Sequence, residues 1–252
     1  MNDEPAPAGG PPHRRTAAAW AVHLLTASGV VLALLALDAV FRDRARDAFL
    51  WLMAALALDG IDGTLARAAR VKERLPRIDG EVLDLVVDYL TYVFIPALLI
   101  WRIEGLQGAL GLALAAIILV SSLYVFARRD MKTDDGYFRG FPALWNVVAL
   151  YFFVAPPDPL VAAAIVAVLA ALTFAPVHFV HPFRVRDFGA WLPAVAILWA
   201  ASTAALLLSR GELRTPLLAA SLGAAALLVG MGLWRTFRGG ASTSERKPDR
   251  GR

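Results

Sequence analysis

Residues Asp59–Asp88 read DGIDGTLARAARVKERLPRIDGEVLDLVVD, inside a chain that is otherwise strongly apolar. Asp59, Asp62, Asp79, Asp84 and Asp88, with a burst of arginines, interrupt what composition marks as membrane-spanning helix. Asp59, Asp62 and Ala66 follow one another at three and four residues, so on a helix they share one face. Gly80, Asp84 and Asp88 follow at four and four, again on one face. Both helices end at the same charged loop, which predicts an antiparallel hairpin with four carboxylates converging near one membrane boundary. Asp84 and Asp88 lie within EVLDLVVDYLTYVF, where exposure to lipid is costly. They should face the bundle interior or a water-filled cavity.

Outward from this stretch, the 252 residues are 58% hydrophobic, against about 45–50% for soluble domains. Several apolar runs approach the ~20 residues that a spanning helix needs. The expected fold is an all-α integral membrane protein of about eight transmembrane helices. These are Trp20–Phe41, Ala48–Arg67, Gly80–Trp101, Gly105–Phe126, Phe141–Ala155, Leu160–Val180, Ala190–Leu208 and Pro216–Trp234. They form one domain over 20–236, between disordered tails at 1–19 and 237–252. Arg14-Arg15 before an apolar run is also the pattern of a signal peptide, but the run from Trp20 is long enough for a span. The absence of cysteine excludes disulfides, thiolate metal sites and cysteine nucleophiles.

The net charge of +4 is assigned to loops facing anionic lipid and cytoplasm rather than to nucleic acid. With eight spans, most of the 25 Lys and Arg residues fall on the side of the N-terminus, and the other side holds only Arg42, Arg44, Arg46, Arg102, Arg210 and Arg214. The asymmetry places both termini, and the aspartate-rich face, in the cytoplasm.

Four close carboxylates cannot all stay ionised without compensation. Arg67 and Arg70 supply part of it, and a divalent cation supplies more. Oxygen-only ligands favour Mg²⁺, Mn²⁺ or Ca²⁺ over zinc or copper. Two such ions sharing four carboxylates suit phosphoryl chemistry. Gly63, Ala66 and Gly80 leave space beside the acids for a phosphate-bearing ligand, and Arg67 can grip a phosphate bidentately. Each feature has a plainer counterpart: small residues allow close helix packing, and Asp–Arg pairs can simply join two helices. A cation- or proton-coupled transporter is the competing function. Transporters tend to carry paired repeats and helices broken at the bilayer midplane, whereas these acids gather at one end.

Asp59-x-x-Asp62-Gly63-x-x-Ala66-Arg67, then Gly80-x-x-x-Asp84-x-x-x-Asp88, resembles the signature of the CDP-alcohol phosphotransferases. These are membrane enzymes, built on a six-helix core, that move a phosphate-bearing group from a CDP-linked donor to an alcohol. The twelve residues between Arg67 and Gly80 are more than most of the family has. With DDGYFRGFPALWN from Asp134 and FVHPFRVRDF from Phe179, they resemble the bacterial branch that joins choline directly to CDP-diacylglycerol. The resemblance covers Trp20 to Trp234. It implies that Asp59, Asp62, Asp84 and Asp88 ligate two divalent ions, Mn²⁺ or Mg²⁺, and that Asp88 is also the general base. It further implies that Gly63, Ala66, Arg67 and Gly80 line the CDP site, that the products are phosphatidylcholine and CMP, and that the enzyme is a homodimer of the inner membrane. A related transferase using serine, inositol or glycerol phosphate is the nearer alternative.

Choline's quaternary ammonium cannot donate a hydrogen bond and is usually held by aromatic faces. Tyr92, four residues after Asp88, shares its helix face. Tyr137 and Trp145, near the next cytoplasmic loop, are further candidates. Each also suits core packing or an interfacial belt. Arg139 is a candidate for phosphate or lipid, His178 and His181 read as structural or interfacial, and Asp79 reads as a loop acid before Gly80.

Overall fold

In a bilayer an apolar segment satisfies its backbone hydrogen bonds internally only as a helix or within a closed barrel. The computed structural model describes residues 12–238. There the chain forms helices α1 (Pro12–Phe41), α2 (Ala45–Ala68), α3 (Val71–Arg74), α4 (Gly80–Asp88), α5 (Ile95–Trp101), α6 (Ala109–Ala127), α7 (Trp145–Val154), α8 (Pro159–Leu172), α9 (Trp191–Leu208) and α10 (Arg214–Arg238). Two short strands, β1 (Phe138–Arg139) and β2 (His178–Phe179), pair antiparallel with Phe138 opposite Phe179. Residues 1–11 and 239–252, which hold most of the two expected tails, lie outside the described residues.

Among the described residues, six helical segments are long and apolar enough to cross a membrane: Thr16–Phe41, Ala45–Ala68, Gly80–Trp101, Ala109–Ala127, Trp191–Leu208 and Gly211–Arg238. Their outward faces expose Leu24, Leu34, Val120, Ile197 and Leu208, a surface that suits lipid rather than water. The protein is an all-α integral membrane protein.

The fifth and sixth expected spans are shorter than hydropathy implied. α7 has 10 residues and α8 has 14. Phe141–Leu144 is apolar but not helical, with Ala143 in the left-handed region at φ 57°. Pro156-Pro157 separates the two helices. Asp158 then caps α8, its Oδ1 accepting the Leu160 N–H at 2.8 Å, and Pro159 opens the helix where no donor is needed. α8 stops at Leu172, ahead of Pro176, and the apolar residues beyond it turn into β2.

The chain divides into two compact units, one running to Ala115 and including Trp145–Pro157, the other comprising Ala116–Leu144 and the chain from Asp158. In the first unit, α1 packs against α2 and α4. Gly29 permits this approach, since a Cβ there would stand 2.5 Å from Val87 Cγ1. Phe49 of α2 meets Phe153 of α7 at 5.2 Å between ring centroids. In the second unit, the buried hydroxyls of Thr203 and Ser221 join α9 to α10 at 2.7 Å. The loops of this unit are tied to α10 and to each other: Arg235 donates to Asp135 at 2.9 Å and the His178 N–H to Thr236 at 2.7 Å, while Tyr137 donates to Asp187 at 2.8 Å between two loops.

Candidate active site

α2 carries Asp59 and Asp62 and ends with Arg67 in its last turn, where a cation complements the helix dipole. Arg70 reverses the chain at φ 46°. Asp79 starts the next helix as its N-cap, with Oδ1 accepting the N–H groups of Glu81 at 2.9 Å and Val82 at 3.3 Å. This loop acid therefore fixes where the helix bearing Asp84 and Asp88 begins. Lys72 donates to Glu81 at 2.6 Å across the same loop, and that bond raises the lysine's pKa.

The hairpin brings Asp59, Asp84 and Asp88 together. One carboxylate oxygen from each lies within 4.8 Å of the other two, and all three residues are half-buried. Asp62, on the next turn of α2, is buried at 6% exposure and accepts a hydrogen bond from Thr26 Oγ1 at 2.7 Å. It lies outside the mutually close set formed among the described residues. Three convergent carboxylates make a hard, oxygen-only donor set of the kind that takes Mg²⁺, Mn²⁺ or Ca²⁺, so the residues present fit a divalent cation.

After Asp88 the helix widens into a π turn over Tyr89–Phe94. Pro96, with no N–H to give, follows two residues later. Ile95 N–H reaches back five residues to the Leu90 carbonyl, and Thr91 Oγ1 donates to the Val87 carbonyl at 3.0 Å. Such widened turns recur at functional sites. Here the turn carries Tyr92, which is buried and whose hydroxyl donates to Asp59 Oδ2 at 2.7 Å.

The small residues of the motif differ in surroundings. A Cβ on Gly63 would meet only Arg67 Nη1, at 3.5 Å, so this face is open. Ala66 packs against the buried cluster of Ala19, Val22 and Val71. Arg67 is exposed and donates to Thr64 Oγ1 at 3.0 Å. Gly80 is overlain by the ring of His23, a buried residue whose Nε2 has no hydrogen-bond partner among the described residues.

Trp145 belongs to the first unit and is fully buried. Tyr137 and Arg139 belong to the second. Tyr137 is also fully buried, with the Arg235 guanidinium 5.7 Å from its ring centroid. Arg139 lies 3.9 Å from Asp130. His181 stacks on Phe138, 5.5 Å between centroids. A polar cavity of about 500 Å³ in this unit is lined by Lys132, Asp134, Asp135, Arg184, Arg186 and Asp187, among others.

Thr26, His23 and the π turn were not foreseen. Only the last had a sequence signal, Pro96 shortly after an acidic helix.

No family model matches the chain, but proteins similar over most of its length are known. A phosphatidylcholine synthase of Pseudomonas aeruginosa is 51% identical over 222 residues, covering 88% of this chain and 93% of that one. One of Mesorhizobium japonicum is 45% identical over 185 residues, 73% of this chain and 69% of its own. One of Agrobacterium fabrum is 42% identical over 183 residues, 73% and 76% respectively. With such identity spanning both units, and three of the four signature aspartates gathered in one acidic cluster, the chain belongs to the phosphatidylcholine synthase family of CDP-alcohol phosphotransferases.

Proposed function

We propose that this chain transfers the phosphatidyl group of CDP-diacylglycerol to choline and releases CMP, at the cytoplasmic face of a bacterial inner membrane. Both termini lie in the cytoplasm, and the working form is a homodimer. The observation that carries the reading is the convergence of Asp59, Asp84 and Asp88 from two helices onto one point.

Asp59, Asp62, Asp84 and Asp88 hold two divalent ions, Mn²⁺ or Mg²⁺, which when bound supply charge neutralisation for the diphosphate and polarise the phosphate that bears diacylglycerol. Gly63, Ala66 and Gly80 are assigned to the CDP site, where the open face of Gly63 leaves room for the nucleotide, and Arg67 offers its guanidinium to a phosphate oxygen. Asp88 accepts the hydroxyl proton of choline. The choline oxygen forms the new bond to the lipid-bearing phosphorus. The bond from that phosphorus to the bridging oxygen breaks, and CMP departs with the electron pair. Positioning and charge stabilisation carry chemistry of this kind. The ring of Tyr92 is assigned to the ammonium of choline, with Tyr137 and Trp145 as further aromatic candidates, and Arg139 to a lipid phosphate.

The test uses purified protein with CDP-diacylglycerol, Mn²⁺ or Mg²⁺, and choline, serine, inositol or glycerol phosphate in separate reactions. CMP release and the lipid product are followed, with Asp88→Asn alongside. Metal-dependent phosphatidylcholine formation with choline alone, lost in Asp88→Asn, is the expected result. Reaction with a different alcohol would keep the mechanism and discard choline. A folded protein that releases no CMP with any acceptor would overturn the reading in favour of transport.

A further inference from the structure

Asp59 and Asp62 of α2 are each held by a neutral hydroxyl from another segment. Tyr92, on the π turn, donates to Asp59 Oδ2, and Thr26, on α1, donates to Asp62 Oδ2, each at 2.7 Å. Both donors are buried, Tyr92 at 8% exposure and Thr26 at 9%. A carboxylate that is to ligate a cation must have its rotation stopped without losing its charge. An arginine or lysine partner would stop it but would also repel the cation. A hydroxyl ties down one oxygen, leaves the charge in place, and lets the other oxygen be aimed. Hydrogen bonds of this kind from outside the ligand set tune metal affinity.

The main chain supports this arrangement on the Tyr92 side. The π turn keeps Thr91 and Tyr92 both buried, and the Thr91 hydroxyl takes up the Val87 carbonyl beside Asp88. On the Thr26 side, the close approach of α1 to α4 at Gly29 and Val87 brings the hydroxyl-bearing helix into the site.

We infer that Tyr92 and Thr26 are positioning residues that orient Asp59 and Asp62 for divalent-cation binding. The inference rests on the metal-site reading given above. It gives the Tyr92 hydroxyl a role at Asp59 that is distinct from the assignment of its ring to choline.

The test is direct Mn²⁺ titration of the full-length detergent-solubilised protein, with free Mn²⁺ read by electron paramagnetic resonance. Wild type, Tyr92→Phe, Thr26→Val, Thr26→Ser and Asp84→Asn are compared, with thermal unfolding alongside. Tyr92→Phe and Thr26→Val are expected to weaken Mn²⁺ binding roughly 10- to 100-fold, and Thr26→Ser to restore it. Wild-type affinity in both hydroxyl variants, with binding lost in Asp84→Asn, would overturn the inference and leave the metal site standing. Equal, weak binding by wild type and Asp84→Asn would overturn the metal-site reading itself, and this inference with it. Should Thr26→Val fail to fold, Tyr92→Phe, which removes a single oxygen, decides the question.

Discussion

The imidazole of His23 lies so close over Gly80 that a Cβ on the glycine would stand 3.0 Å from His23 Cε1. This contact sets α1 against the first residue of the helix that carries Asp84 and Asp88. His23 is 5% exposed and has little room to move aside. Gly80→Ala should therefore act as overpacking and cost about 1–3 kcal/mol, with CMP release falling as the start of α4 shifts. Combining it with His23→Ala removes the opposing ring and should recover most of the lost stability. Thermal unfolding of the single and double variants checks this, and a Gly80→Ala protein as stable as wild type would count against a tight contact.

Asp79 caps the same helix through two N–H groups, at 2.9 and 3.3 Å. Replacing an N-cap carboxylate by alanine typically costs about 1 kcal/mol. Asp79→Ala should lower the unfolding midpoint accordingly, whereas Asp79→Asn and Asp79→Ser, which keep an acceptor oxygen, should stay near wild type. Since Asp79 is exposed, an equal loss in all three variants would point to a role outside helix capping.

What the sequence could reveal follows from where the information lies. The positions of Asp59, Asp84 and Asp88 follow local periodic patterns, so the hairpin that brings these three together was readable; Asp62, expected to converge with them, instead meets Thr26 and lies outside their close set. The membrane class was readable because hydropathy is additive along the chain. Helix ends inside apolar stretches were not: Phe141–Leu144 and Phe174–Val180 are as apolar as a span, yet they turn or pair as strands, because hydropathy reports depth in lipid rather than backbone conformation. The Thr26–Asp62 bond joins residues 36 apart in the chain, and neither residue type demands that partner. The cap at Asp79 could have been found, since an aspartate directly before a helix-starting glycine and glutamate is an N-terminal signal.

His181 gives the second unit a pH dependence with a definite sign. Burial, followed by the nearby charges of Arg184 and Lys132, lowers its pKa from 6.5 to about 4. Between these values the unfolded chain binds a proton that the folded chain does not. The stabilisation is complete above pH 6.5 and is lost as pH falls toward about 4. Unfolding midpoints should thus drop between neutral and mildly acidic pH in wild type, and drop less in His181→Phe. Arg184→Gln removes one of the repelling charges and should move the imidazole titration upward, as read by NMR of labelled histidine. A His181 that titrates near 6.5 would remove the basis of this prediction.

The Thr203–Ser221 bond tests how far buried polar contacts hold α9 to α10. Both residues are fully buried, and the oxygens are 2.7 Å apart. Lipid offers no competing partner, but a partly unfolded helix in the membrane finds other acceptors, so coupling energies for such pairs average about 0.6 kcal/mol and reach about 1.7. A double-mutant cycle of Thr203→Val and Ser221→Ala should give a coupling in that range. Each single change takes this partner from the other buried hydroxyl, so both should be destabilising on their own, and the double variant should cost less than their sum. If the two single variants and the double variant were simply additive, the bond would contribute nothing, and the packing around Gly232, where a Cβ would stand 2.5 Å from the His178 carbonyl oxygen, would have to hold α10 in its place.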